Sequence, residues 1–422
     1  MPVTGIFGGQ WGDEGKGRIV DLLSQDADLI IRAQGGDNAG HTVENEHGKF
    51  VTHLIPSGIF NPDAICFLGT GMVVNPDTLL SELSDLENRG IDTAKLFISD
   101  RAHLVLPHHV YFDNLREDGS GSLGSTRRGI SPAYADKALK LGIRFDDILD
   151  LEVCSRRVDN IIDYYSNICN YRTGYQKCFD KDLLMEKITH WKNLLSHRVR
   201  DLTSILDVAF MMDKKIIVEG QLGVMRDLDW GIYPYCTSSN SSVGSMMTGA
   251  GIPPQKITDV IGIVKAYSTS VGGGPFPVNL TDETGDRLRA IGHEYGATTG
   301  RPRQCGWFDA VATYHAVKLN GFTSVAVTKL DVLDDFDEVL ICVGYECEGR
   351  SLQYVPSTRI LEKVKPLYVY FPGWKTSTKD IRSWDDLPSN AQRYLNKIEA
   401  LIGCKMSMVS VGPERSQIIY LN

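Results

Sequence analysis

The sequence predicts an α/β fold: one large domain over residues 1–422, built on a central, mostly parallel β-sheet flanked by helices, with a P-loop-like phosphate region at its start and a helical excursion over about 132–207. Three observations predict it. Short, near-continuous apolar runs alternate with stretches of helical periodicity, as expected for strands buried on both faces of a parallel sheet. Glycine-rich loops follow the first two of those runs directly. No internal repeat or low-complexity linker divides the chain.

The elements follow in order. Val3–Phe7 reads as a short buried strand that runs into a glycine-rich turn, and Arg18–Ser24 reads as the helix after it. Asp28–Ala33 is a second apolar strand. Ala64–Leu68 and Lys95–Ile98 are further strands, with Asn75–Glu87 the helix between them. Lys215–Val218, Asp259–Val264 and Ser324–Thr328 continue the sheet. From about Pro132 to Asp207 the chain is rich in charge and helical-period apolar residues, which predicts helices at the edge of the fold. The last 80 or so residues read as short strands and turns, punctuated at Phe371-Pro372-Gly373-Trp374.

Composition narrows the function classes. The net charge is -9 with acids and bases interspersed, which argues against a nucleic-acid coat and gives no membrane-surface signal. The nine cysteines have no CxxC spacing, so a zinc site is disfavoured and reduced thiols are expected. Met1–Phe7 is too short and too soon followed by glycines for a signal peptide, and no uncharged run approaches the roughly 20 residues of a membrane helix. The expectation is a cytoplasmic enzyme.

Four segments can carry chemistry. Gly8-Gly9-Gln10-Trp11-Gly12-Asp13-Glu14-Gly15-Lys16-Gly17 lies between a strand and a helix, where backbone N–H groups and the helix dipole hold phosphate oxygens. It departs from a Walker A loop at Gln10, where that pattern needs glycine. Gln34-Gly35-Gly36-Asp37-Asn38-Ala39-Gly40-His41-Thr42 follows the second strand, so the two loops face one crevice. There His41 is placed to act as a general acid or as a charge beside a developing oxyanion. Thr298-Thr299-Gly300-Arg301-Pro302-Arg303 combines hydroxyls with two guanidinium forks suited to carboxylate or phosphate. In Thr328-Lys329-Leu330-Asp331, a carboxylate at a strand end suits the N–H donors of a guanine edge, though a capped helix start is an equal reading of the residues alone.

Together these segments resemble the adenylosuccinate synthetase family. His53-Leu54-Ile55-Pro56-Ser57-Gly58, Tyr233-Pro234-Tyr235-Cys236-Thr237-Ser238-Ser239-Asn240, Lys265-Ala266-Tyr267-Ser268-Thr269 and Gly412-Pro413-Glu414-Arg415 extend the resemblance over nearly the whole chain. It implies transfer of the γ-phosphate of GTP to the six-oxygen of inosine monophosphate (IMP), followed by displacement of phosphate by the amine of L-aspartate. It implies Asp13, His41 and Lys16 as catalytic residues. Asn38, Thr126, Lys140, Gln221, Leu222, Thr237, Thr298, Thr299 and Arg301 would meet the nucleotide and aspartate. Gly12, Glu14, Gly15, Lys16, Gly17, Gly40, His41, Thr42, Arg303, Lys329, Asp331, Gly412 and Pro413 would form the GTP site. Mg2+ would be held by Asp13 and the Gly40 carbonyl, and the active unit would be a homodimer.

The chain departs from the family at the nucleotide site. The usual Glu-Gly-Ala-Gln-Gly reads Glu219-Gly220-Gln221-Leu222-Gly223, so Leu222 replaces a glutamine that contacts the purine six-oxygen. A turn shifted by one residue would let Gln221 reach in instead. An arginine that crosses the dimer to the nucleotide phosphate aligns with Lys140, and Arg127 stands where a glycine is usual, a possible new phosphate contact. Two further readings stand beside the main one: the same GTP and aspartate chemistry on another acceptor, such as a guanine or deoxy purine nucleotide, and a nucleotide-binding protein without catalysis.

Overall fold

A computed structural model of the chain describes residues 2–169, 179–296 and 300–421. Its spine is a sheet of β1 (Val3–Gly8), β2 (Leu29–Gly35), β3 (Ile65–Val74), β4 (Leu96–Ser99), β5 (Val199–Arg200), β6 (Ile216–Gly223), β7 (Asp259–Lys265), β8 (Ser324–Thr328), β9 (Met406–Ser410) and β10 (Ile418–Tyr420). The order across it is β10-β9-β8-β7-β1-β6-β2-β3-β4-β5. Every pairing on that path is parallel except β9 with β10. The C-terminal ends of the parallel strands therefore open on one edge, where α/β sheets take their ligands. Successive residues feed opposite cores: Val3 and Phe7 of β1, with Leu29 and Ile31 of β2, enter one, while Ile6 and Ile30 enter the other. Burial on both faces is why these strands read as unbroken apolar runs.

The expected strands and early helices are all present, several of them longer than expected. The first helix, α1 (Lys16–Leu23), begins inside the glycine loop itself. The next, α2 (Pro76–Asn88), starts where the side chain of Asn75 accepts from the N–H groups of Asp77 and Thr78, with proline at a position that needs no donor. The helical excursion begins earlier than expected, with α3 (Pro107–Glu117), and continues through α4 (Ile130–Leu139), α5 (Leu151–Cys169), α6 (Lys181–Leu195) and α7 (Leu202–Met211). The C-terminal expectation needs correction: α8 (Ser389–Ile402) is a full helix. Its buried Ala391, Tyr394, Leu395, Ile398 and Ile402 follow helical spacing, so the signal was in the sequence. Cys66, Cys154, Cys236, Cys305, Cys342, Cys347 and Cys404 are free thiols.

A buried polar knot ties α3 to α4 and α5. Asp136 accepts from His108 Nε2 (3.1 Å), His109 Nε2 (3.0 Å) and the Tyr165 hydroxyl. The grouping resembles a metal site, but His109 Nδ1 accepts from the Leu106 N–H at 2.9 Å. Its Nε2 therefore carries the hydrogen and has no lone pair for an ion. Burial, and then His109, lower the His108 pKa to about 4. The unfolded chain thus binds a proton from pH 6.5 downward that the folded chain refuses, and stability falls as pH drops through that window. Denaturation in urea is expected to show His108 alone removing about 2 kcal/mol between pH 7 and pH 5. A His108→Gln variant should lose that much less over the same interval, and an unchanged loss would assign the acid sensitivity elsewhere.

Candidate active site

The loop after β1 is bent into a concave run of amides. Gly12 (φ 101), Asp13 (φ 58) and Gly15 (φ 89) all take left-handed backbone conformations, and successive N–H groups in such a turn converge on an anion. Gly15 caps α1 without a side-chain hydrogen bond, so the helix N-terminus is left for a ligand. Glu14, expected among the GTP contacts, instead points inward. Fully buried, it accepts from Gln10 N (3.1 Å) and Gly12 N (2.9 Å) and pairs with Lys16 Nζ (2.6 Å). Glu14 thus shapes the loop and holds Lys16.

The loop after β2 brings His41 against β6. The fully buried Glu219 accepts from His41 Nδ1, from Ser57 N (2.8 Å) and from Ser57 Oγ (2.7 Å). Burial alone would raise the Glu219 carboxyl, but the His41 ring, Arg32 and Ser57 outweigh it and hold it at about 2. Burial, and then the neighbouring Arg32, push His41 the other way, toward the neutral ring. A neutral His41 beside an anionic Glu219 carries its hydrogen on Nδ1 and leaves Nε2 as the free nitrogen.

Between these loops lies a cavity. Trp11, Gly12, Asp13, Asn38, Gly40, Thr126, Leu222 and Thr237 line it, joined by Arg226. Arg226 acts as a clamp: Nη1 donates to the carbonyls of Tyr235 (2.6 Å) and Gly273 (2.9 Å), and Nη2 to Ser270 Oγ (2.6 Å) and the Val271 carbonyl (2.7 Å). Burial lowers its pKa to about 10, with the charge of Asp13 opposing. Arg301 reaches the cavity rim, 3.4 Å from the carbonyls of both Gly124 and Ser125. Thr298 and Thr299 lie outside the described residues.

A second group gathers at the ends of β7 and β8. Glu294, fully buried, accepts from Lys265 Nζ (2.9 Å), Arg303 Nη1 (2.5 Å), Lys329 Nζ (2.8 Å) and the Tyr267 hydroxyl. Arg303 also lies 3.1 Å from Asp13 through Nε, an ion pair too bent for a hydrogen bond. The Thr328 hydroxyl donates to the Glu14 carbonyl (2.6 Å), which joins the end of β8 to the first loop. Arg18 on α1 reaches across to the carbonyl of Gln417, drawing the Gly412-Pro413 turn toward the same edge. Lys329, Asp331, Gly412, Pro413 and the Gly15–Gly17 start of α1 thus share one end of the sheet.

Several expected residues stand apart from the cavity. Lys140 is exposed and closes α4 in a left-handed conformation (φ 65). Arg127 shows why glycine is usual at its position, since its φ is 60. Its Nη1 donates to Asp118 (2.6 Å) and Asn114 (3.3 Å). Thr42 is exposed on the hairpin that follows its loop. Gln221 does not enter the cavity: it is wholly buried, and Leu222 (φ 61) takes the lining position. Three of the non-glycine residues in the left-handed region, Asp13, Leu222 and Lys329, stand at the site, where the surrounding packing must hold the strain. Sequence reasoning assigned no role to Glu219, Arg226 or Glu294. Glu219 stood inside a family motif, whereas the partners of Glu294 are 9 to 35 residues away and give no local signal.

Comparison with known proteins agrees with this geometry. A family model described as adenylosuccinate synthetase matches residues 5–419. Adenylosuccinate synthetases from two strains of Dehalococcoides mccartyi are each 47% identical over 428 residues, covering 100% of both chains. Among solved structures, fully ligated adenylosuccinate synthetase from Plasmodium falciparum is similar at 35% identity with a TM-score of 0.93, covering 100% of each chain. Succinoaminodeoxyadenylate synthetase of cyanophage S-2L, bound to dGMP and dATP, shares the fold at 20% identity and a TM-score of 0.63, over 99% of this chain and 95% of that one.

Proposed function

The chain belongs to the adenylosuccinate synthetase family and is a GTP-dependent ligase that joins L-aspartate to IMP, and we propose how its residues divide that work. The observation that carries the proposal is the single cavity in which Asp13, Asn38, Gly40, Thr126 and Thr237 meet, next to an anion-shaped loop and the His41–Glu219 pair.

Asp13 takes the N1 proton of the purine, which turns the six-oxygen into a nucleophile. That oxygen bonds to the γ-phosphorus as the bridging oxygen to GDP departs. The amine of aspartate then attacks C6, the C–O bond breaks, and phosphate leaves with its electron pair. His41 presents Nε2 to the phosphoryl oxygens and shares a proton with them, while Glu219 fixes its orientation. Lys16 and the loop amides face the phosphates of GTP. Asn38, Thr126 and Thr237 hold the nucleotide. Arg301, with Thr298 and Thr299, takes the carboxylates of aspartate. Arg303 stands near GTP, and Lys329, Asp331 and the Gly412-Pro413 turn enclose the guanine.

Asp13 and Gly40 both line the cavity, and the carboxylate of one and the carbonyl of the other are hard oxygen donors that would suit Mg2+. When bound, that ion neutralises charge on the transferring phosphoryl group. The proposed setting is a cytoplasmic homodimer acting on small molecules, without nucleic-acid or membrane partners. No helix of the described residues is long and apolar enough to cross a membrane. The exposed Lys140 is available to a second copy's nucleotide.

The test is phosphate release from GTP with L-aspartate, Mg2+ and a panel of purine nucleotides. Turnover is expected with IMP, to be abolished by EDTA and restored by excess Mg2+. Silence with IMP together with turnover on a guanine or deoxy nucleotide would overturn the acceptor assignment.

A further inference from the structure

We infer that Gln221 is a positioning residue for the nucleotide site: it fixes the side-chain amide of Asn38 so that the Asn38 NH2 group faces the cavity as a donor. The inference rests on the proposed function, since it names a specificity element of that same site.

The orientation of both amides is set by backbone groups that have only one hydrogen-bonding role. The Gly36 carbonyl can only accept, and Gln221 lies against it at 3.2 Å, which makes the contacting atom Nε2. The Gly36 N–H can only donate, and it meets Asn38 at 3.3 Å, which makes that atom Oδ1. Gln221 Nε2 then donates to the same Asn38 Oδ1 at 2.8 Å. Both amides are thus locked in a closed circuit with Gly36. With its oxygen engaged by two donors, Asn38 turns its NH2 outward, and Asn38 lines the cavity beside Asp13, Gly40 and Thr237.

Gln221 is held rigidly for this task. It is fully buried, and its own carbonyl accepts from Gln34 Nε2 at 2.8 Å. A Cβ built on Gly35 would come within 1.8 Å of Gln221 Oε1, so the side chain lies flat on a backbone that only glycine allows (φ 88). Gln221 Oε1 itself has no partner among the described residues. A buried acceptor left unmade is destabilising, so packing alone does not favour an amide here. An amide is required by what its nitrogen does. Leu222 meanwhile gives the cavity wall no donor of its own, which leaves the aimed NH2 of Asn38 to recognise an oxygen of the nucleotide.

The test begins with wild-type turnover on IMP, whose absence would sink the functional reading and is thereby separated from the inference. Kinetics are then compared for Gln221→Met, Asn38→Ala and the double variant. Gln221→Met keeps the volume and is expected to lower kcat/KM for IMP about tenfold, with the KM values for GTP and aspartate unchanged. In the Asn38→Ala background the same change should have no further effect, because the group it aims is gone. Gln221→Glu, which sets a carboxylate against Asn38 Oδ1 and draws the NH2 inward, should lower kcat/KM for IMP further. Unchanged IMP kinetics in Gln221→Met would overturn the inference. So would a tenfold loss that persists in the Asn38→Ala background, or equal losses for all three substrates. Should Gln221→Met fail to fold, Gln221→Glu replaces it in the cycle with Asn38→Ala: non-additive losses support the inference and additive losses overturn it.

Discussion

Replacing Asp13 by asparagine is expected to reduce kcat by about 1,000-fold while GTP still binds. The carboxylate is proposed to remove the N1 proton of the purine, and without that step the six-oxygen remains a poor lactam nucleophile. Asparagine keeps the shape and tolerates the left-handed backbone of this position (φ 58), so the loss isolates the base. Alanine would add backbone strain to the same change and confuse the result. The substitution also deprives Arg303 of its ion pair at 3.1 Å, but Arg303 keeps Glu294, so the GTP side stays assembled. Steady-state kinetics with separate measurement of GTP binding decide the matter. Turnover within tenfold of the wild type would remove Asp13 from the role of base, and a parallel loss of GTP binding would mean that its charge serves the nucleotide instead.

The second large effect is expected at Glu219, a residue that touches no substrate. Glu219→Gln should lower kcat by about 100-fold or more, through His41. His41 Nδ1 and the Ser57 hydroxyl share Oε1 while the Ser57 N–H meets Oε2, so whichever way glutamine sits, one of the two N–H donors faces an NH2 group that cannot accept from it. Without the carboxylate the ring is no longer held in orientation, and the positive charge it gains when Nε2 shares a proton with the phosphoryl oxygens is no longer balanced. Stability should fall as well. The Arg32 side chain is fully buried, and its guanidinium has no hydrogen-bond partner among the described residues. Glu219 is the first of the charges that offset the burial of Arg32. Removing one member of a buried charge pair costs about 3–5 kcal/mol. Two measurements separate these consequences. Proton NMR of the wild type should show a strongly downfield His41 Nδ1 proton that disappears in the variant. His41→Asn, with Glu219 intact, should reproduce the loss of kcat. A variant that melts early but turns over normally would leave Glu219 a purely structural role.

The sequence by itself determined the parallel sheet, the two glycine loops at its edge and the chemistry of the family. Those features depend on local pattern: strands buried on both faces are apolar without a break, and a loop that must approach phosphate needs glycines next to its charges. Asp13, Asn38 and Gly40 lie inside such loops, whereas Thr237 was named by the resemblance to the family alone. The 14-residue helix near the C-terminus was legible too, in the spacing of Tyr394, Leu395, Ile398 and Ile402, but the turn signals before it dominated the reading.

Only the tertiary structure decided which partner each polar group finds. Glu294 gathers Lys265, Arg303 and Lys329 from separate strand ends and loops, and Glu219 meets His41 across 178 residues. It turned Glu14 inward onto its own loop, paired Arg127 with Asp118, and kept Leu222 rather than Gln221 on the cavity lining. Those outcomes depend on the direction in which a side chain leaves the backbone and on which donor it then meets. A single left-handed residue such as Leu222 at φ 61 reverses that direction, and no periodicity in the sequence records it.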